Sequence, residues 1–187
     1  MHTVEPFFQW NSLYSAQKDP HSPFFGIEHS EFYFSKTLYN YYIHPQWEDI
    51  GSSTLYLKVL FADYDNLGFV VLEMMGEWND ALHNDCMYLK REVVDHFLDR
   101  GITKFMVVGE NVFNFHASET DYYQEWKEEC EEGWIAFLNF RSHVIQEMNQ
   151  SHIGNFVNIF SDEFNWRRFH PMELLLQIEK YISNRIN

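Results

Sequence analysis

The strongest constraint on this fold is a strand–helix–strand pattern between residues 68 and 108. Residues 68–75 read GFVVLEMM, an apolar run of strand length. Gly76, Glu77, Trp78, Asn79 and Asp80 interrupt it. Asn79 or Asp80 is placed to cap a helix, because a short polar side chain there accepts from the free N–H groups of the first turn. Leu82, Cys86, Leu89, Val93 and Phe97 then recur at helical spacing, with Val94 and Leu98 widening the stripe. Gly101 suits the position just past a helix end, and residues 102–108 (ITKFMVV) form the next strand. Such a unit predicts two parallel strands joined by a right-handed crossover.

The alternation extends in both directions. Residues 54–62 (TLYLKVLFA) read as a strand, and Asp63-Tyr64-Asp65-Asn66-Leu67 as the turn of an antiparallel hairpin with residues 68–75. The Asp63-Tyr64-Asp65 triplet ends an apolar run, as the nucleophile loop of haloacid-dehalogenase-type phosphatases does. A strand follows it here, where that family needs a longer connection to a helix, so a turn is the reading. Downstream, residues 118–132 read as a helix with an acidic first turn, ended by Gly133. Residues 134–139 (WIAFLN) read as a strand, 142–153 as a short helix and 156–160 (FVNIF) as another strand. Pro171 opens a last helix, with Met172, Leu175, Ile178 and Ile182 on its buried stripe. One long helix over 118–150 is the alternative that Gly133 and the apolar run after it oppose.

The fold class is therefore α/β: a mixed sheet, with N-terminal antiparallel hairpin character followed by βαβαβαβα alternation and helices on the sheet faces. This order resembles, in topology and without a shared motif, the small regulatory domains of the anti-sigma-factor-antagonist (STAS) class. A likeness of fold does not carry function, and no serine here stands in a convincing match to a phosphorylated loop. Residues 1–53 differ from the rest. Phe7, Phe8, Trp10, Phe24, Phe25, Phe32, Tyr33, Phe34, Tyr39, Tyr41, Tyr42 and Trp47 crowd this segment. A hairpin of residues 31–35 with 38–43, turning at Lys36-Thr37, is expected. We read 1–53 as an aromatic extension packed on a single domain of residues 54–187, serving either as a flap over the sheet or as an interface arm, since Tyr and Trp favour protein interfaces.

Charge narrows the function. Thirteen Lys+Arg against 28 Asp+Glu give a net charge of −15, which argues against general nucleic-acid binding and against docking on anionic lipid. No run of about 18 apolar residues suggests a membrane span. The N-terminus lacks a basic stretch followed by an apolar one, so a cytoplasmic protein is expected. Cys86 and Cys130 form no C-x-x-C pair and read as apolar fillers, not as a disulfide or zinc pair. Neither G-x-G-x-x-G, G-x-x-x-x-G-K-[ST] nor G-x-S-x-G occurs. No cofactor and no metal site are expected.

In an open α/β sheet, ligands sit beyond the carboxyl ends of the parallel strands. That rule selects four loops: one with Glu77, Asn79 and Asp80; one over 109–116 with Glu110, Asn111, Asn114 and His116; one with Arg141; and one over 161–170 with Asp162, Arg167, Arg168 and His170. The Arg167-Arg168 doublet just ahead of a helix suits a phosphate or carboxylate, or else neutralises neighbouring acids. The acidic stretch 125–132 reads as a solvated helix face, or as a surface that steers a basic partner. The leading reading is a non-enzymatic cytoplasmic interaction or regulatory module whose partner is another protein, or a second copy met through the aromatic segment. The alternative is a small-ligand-binding protein or enzyme with a His/carboxylate/Arg site on those loops.

Overall fold

Two apolar runs separated by turn residues pair with each other: β4 (Leu55–Asp63) and β5 (Phe69–Asn79) form an antiparallel hairpin. The computed structural model describes residues 5–30, 32–160 and 164–186. β5 then pairs in parallel with β6 (Lys104–His116), β6 with β7 (Trp134–Leu138), and β7 with β8 (Asn158–Ile159). A short strand, β3 (Glu48–Asp49), edges β4, so the six strands lie in sequence order β3-β4-β5-β6-β7-β8. A separate two-stranded hairpin joins β1 (Thr37–Leu38) to β2 (Tyr41–Tyr42).

Strand order decides where the helices go. Each parallel step from β5 to β8 moves the same way across the sheet, so right-handed crossovers all fall on one face. That face buries Leu57, Leu72, Phe105 and Phe137 against Leu89, Val93 and Phe97, against Tyr123 and Trp126 of α4 (Asp121–Glu129), and against Val144 and Met148 of α5 (Ser142–Gln150). The other face buries Phe69, Val71, Met106 and Ala136 under the final helix (Pro171–Ile186) and under Phe7 and Trp10. Farther along that second face, Leu38, Ile43 and Trp47 cover Tyr56 and Met75. Lys58 and Glu73, opposite each other across β4 and β5, stand between its two apolar clusters.

Several expected boundaries are corrected. Gly76 does not end β5. It adopts φ 121° at an irregularity in the β5–β6 ladder, and the strand continues to Asn79. Residues 109–116 are not a loop either. They complete β6, paired through Asn79↔His116, with Val112 and Phe115 in the helix-side core. The helix expected over 82–98 is segmented: α1 (Asp80–His83), a left-handed Asn84, α2 (Asp85–Leu89), a π-turn over Lys90–Val94 and α3 (Asp95–Leu98). The N-terminal hairpin turns at Tyr39 and Asn40, both with positive φ as a two-residue type I′ turn requires, not at Lys36-Thr37. The strand at 156–160 shortens to two residues. β7 stands between α4 and α5, which removes the single-helix alternative for 118–150.

A β-carbon on Gly76 would collide with the carbonyl oxygen of Thr54, in a backbone conformation that other residues rarely adopt. Gly76→Ala is expected to cost about 2–4 kcal/mol in urea denaturation. A loss below about 0.5 kcal/mol would refute the bulge geometry.

Candidate functional site

Four sequence candidates converge where β7 ends and β5 and β6 run on, around a residue the sequence reading passed over. Glu73 is fully buried. Its Oε2 accepts from the Phe7 N–H at 2.7 Å, and its Oε1 from Asn111 Nδ2 at 3.1 Å. Arg167 Nη2 lies 3.9 Å from the same carboxyl. Arg167 itself forks onto Glu110, with Nε and Nη2 at 3.0 and 2.6 Å from Oε2. Glu110 Oε1 accepts from Trp166 Nε1 at 2.6 Å and from Asn139 Nδ2 at 3.3 Å. Arg141 Nε donates to the Glu110 carbonyl at 3.5 Å, with its guanidinium 4.9 Å from the Phe113 ring. The Arg167 guanidinium is 5.3 Å from Phe7 and 5.2 Å from Trp166. Glu110, Asn111, Arg141 and Arg167 thus share one cluster, whose bonds pin the N-terminal segment to the sheet.

Glu77, Asn114 and His116 form a second group along the same strand pair. Glu77 Oε1 accepts from the Tyr39 hydroxyl and from Asn114 Nδ2, the latter at 3.0 Å. The Tyr39 hydroxyl, more than the Asn114 amide and nearby His116, holds Glu77 below the usual carboxylate range. This contact ties the N-terminal hairpin to the sheet.

Asn79 and Asp80 make a third. Asn79 Oδ1 caps α1 by accepting from Leu82 N at 2.9 Å. Asp80 accepts from Cys86 N at 2.7 Å, Trp78 Nε1 at 3.1 Å and Tyr123 OH at 2.6 Å. Burial pushes Asp80 up to about 6 against the pull of these donors. They lock β5 to α2 and α4. Asp80 also lines a cleft of about 580 Å³ with Arg91, Ser118, Asp121, Tyr122 and Glu125. Arg91 there forks onto Glu125 at 2.6 and 2.9 Å.

Arg168 and His170 join none of these groups. Arg168 is exposed, 4.6 Å from the Phe169 ring, and His170 sits at the start of the last helix, where its N–H donates to Glu173 at 3.1 Å. Asp162 lies outside the described residues. Among the described residues, no group of three or more His, Cys, Asp or Glu is placed to hold a metal ion, and no helix is long and apolar enough to cross a membrane.

Charged groups that sequence reasoning missed are the most deeply buried ones. Glu73 is the one charge within GFVVLEMM, and Lys90 stands four residues from both Cys86 and Val94 on the helical stripe. A lone charge at a core-facing position was the signal available for each. The fully buried Lys90 ammonium pairs with Asp95, with Glu129 at 2.5 Å and with Glu125 at 3.5 Å, which anchors the π-turn to α4.

The N-terminal hairpin differs in character. Leu38 on it, and Ile43 and Trp47 after it, are buried, yet Tyr41 and Tyr42 are 77 and 69% exposed, and Phe32 and Tyr33 in the chain before it 86 and 81%. Phe34 and Tyr39 add further exposed aromatic surface.

Comparison with known proteins yields no matching family model and no matching curated sequence. Among solved structures, the chain is similar to the anti-sigma factor antagonist SpoIIAA in its unphosphorylated form: 12% identity, 66% of this chain and 96% of that one, TM-score 0.45. It is also similar to a candidate anti-sigma factor antagonist from Thermotoga maritima, with 15% identity, 58% and 87% coverage and a TM-score of 0.42. The phosphorylated form of the Bacillus cell fate determinant SpoIIAA gives 11%, 65% and 98%, with a TM-score of 0.40.

Burial pushes the Glu73 carboxyl up to about 7, opposed by the Phe7 N–H and by Arg167. In the unfolded chain it titrates near 4.5. Between those values the folded state keeps a proton that the unfolded state has released, so this group's contribution to stability declines as pH rises from about 4.5 to about 7. Glu73→Gln cannot ionise and keeps an acceptor for Phe7. It is expected to match the wild type at pH 4 and to exceed it by about 3 kcal/mol at pH 8. Urea titrations across that range measure the difference; a constant difference overturns this account of Glu73.

Proposed function

We propose that this chain is a non-enzymatic, cytoplasmic interaction module that docks on a protein partner through its aromatic hairpin, with residues 1–53 serving as the docking extension of the domain that follows. The observation carrying this reading is the exposure of Tyr41 and Tyr42 on a hairpin anchored in the core through Leu38, with Phe32 and Tyr33 exposed in the chain just before it. Clustered exposed aromatics gain free energy when a partner removes them from water, and Tyr and Trp are enriched where that happens. The net charge of −15 favours a partner of opposite sign over a second copy of the same chain.

A ligand or catalytic site at the strand ends is the weaker reading. Its best anion-binding group, Arg167, already forks onto Glu110, and Glu73 is engaged by Phe7 and Asn111.

The test is affinity capture from lysate at low and high salt, with the wild type and with Phe32→Ser, Tyr33→Ser and Tyr41→Ser combined. The wild type is expected to retain a partner at low salt, and the variant to lose at least about 90% of it while melting at an unchanged temperature. Equal retention by both proteins would defeat the reading, as would turnover on a substrate panel with no partner captured at either salt.

A further inference from the structure

Two clefts meet at the foot of the hairpin. The first, of about 400 Å³, has an apolar floor of Phe24, Ile27, Ile50 and Tyr88. The second, of about 390 Å³, includes Tyr33 and Pro45. Ile27 and Asp49 belong to both, so the clefts form one groove running from α2 to the exposed aromatics.

Charge along this groove is one-sided. Glu28, Asp49 and Glu92 line it and are exposed. Among the described residues, none of the three is in an ion pair. The groove's own basic groups are already engaged: Lys36 donates to the Trp47 carbonyl at 2.5 Å, and His29 is 2.7 Å from Glu48, a buried carboxylate of the same groove. Desolvation also lowers the Lys36 ammonium, partly countered by Glu48 and Asp49. Asp49 Oδ1 accepts from the Gly51 N–H at 2.8 Å, and an apolar floor flanked by carboxylates outside any ion pair is complementary to a segment that offers apolar side chains and cations together. A second copy of this chain, with its −15 charge, is a poor source of such a segment.

We propose that this groove receives a segment of the partner protein in which Leu, Phe or Trp anchors stand beside Lys or Arg, the anchors entering at Ile27 and Tyr88 and the cations meeting Glu28, Asp49 and Glu92. The proposal rests on the reading of the hairpin as a docking surface, and it names what docks beside it. The segment is held to the groove by desolvation of its anchors, while its cations set orientation and speed encounter.

The test selects random peptides displayed on phage against the immobilised full-length chain, then measures synthetic copies of the winners by calorimetry. Selected sequences are expected to be enriched in Lys or Arg next to Leu, Phe or Trp. Ile27→Asp should weaken them about tenfold and Glu92→Lys about fivefold. Replacing the peptide's Lys by Glu should restore binding to the Glu92→Lys protein. Ile27 and Glu92 are exposed, so unchanged melting temperatures for these variants are expected and are checked alongside. Three results overturn the groove assignment: no enrichment, enrichment without basic residues, or affinities untouched by both groove variants. Loss of binding in Phe32→Ser and Tyr41→Ser alone does so too, while leaving the hairpin reading intact. Loss in the groove variants alone supports the groove, and capture by the hairpin variant decides the hairpin reading separately.

Discussion

The parallel pairing of β5 with β6 governs the rest of the molecule. It runs from Phe69↔Lys104 to Asn79↔His116, whereas β7 meets β6 only over Lys104–Val108. Beyond Val108 β6 has no strand on its far side, and beyond Gly76↔Val112, where the β4–β5 pairing also stops, the pair projects past the sheet on its own. Two irregularities, after Glu73 and at Gly76, let it keep its hydrogen bonds while bending. Without the pairing, residues 109–116 would need other partners for their backbone polar groups. With it, Val112 and Phe115 seal the helix-side core, while Glu110, Asn111 and Asn114 are delivered to the polar clusters.

Strand order explains why the aromatic segment has somewhere to sit. Because every crossover falls on one face, the opposite face is left to the last helix and to the chain before β4. That face is divided. Lys58 and Glu73 separate the patch under Phe7 and the last helix from the patch under Leu38, Ile43 and Trp47. The second patch admits Leu38 of the hairpin and, just past it, Ile43 and Trp47; side chains alternate along a strand, so Tyr42, next to buried Ile43, is turned outward. Exposure of Tyr42 is a consequence of burying Ile43.

Elements defined by burial alone were legible in the sequence. The β4–β5 hairpin, the strand at β6, the parallel strand at β7 and the Pro171 helix follow from apolar period and turn residues. What was not legible depends on a partner strand. Residues 109–116, GENVFNFH, carry loop-like polar residues, and only their pairing with 75–79 makes them a strand. Gly76 reads as a stop because glycine usually ends an element; here its lack of a β-carbon lets the Thr54 carbonyl approach. Residues 82–98 read as one helix because the stripe is continuous, yet Asn84 turns left-handed, and the buried Lys90 lies in a π-turn, bonded to acids on two elements. Glu110, Asn111, Arg141 and Arg167 were chosen through the strand-end rule and do meet, but at Glu73, which that rule, tied to loops, does not consider.

Arg167 shows why the strand ends are closed and the hairpin open. A guanidinium that chelates a carboxylate and packs against two aromatic rings has a preorganised partner within its own fold. An incoming anion would have to match that geometry and leave Glu110 partly buried without its counter-charge, an exchange that is unfavourable before any contact with the ligand is counted. The tyrosines of β2 face the opposite balance. Water is their alternative, and burying them breaks no internal ion pair. The docking proposed above therefore falls where internal bonds were not formed, on the aromatic hairpin and the acidic groove at its foot.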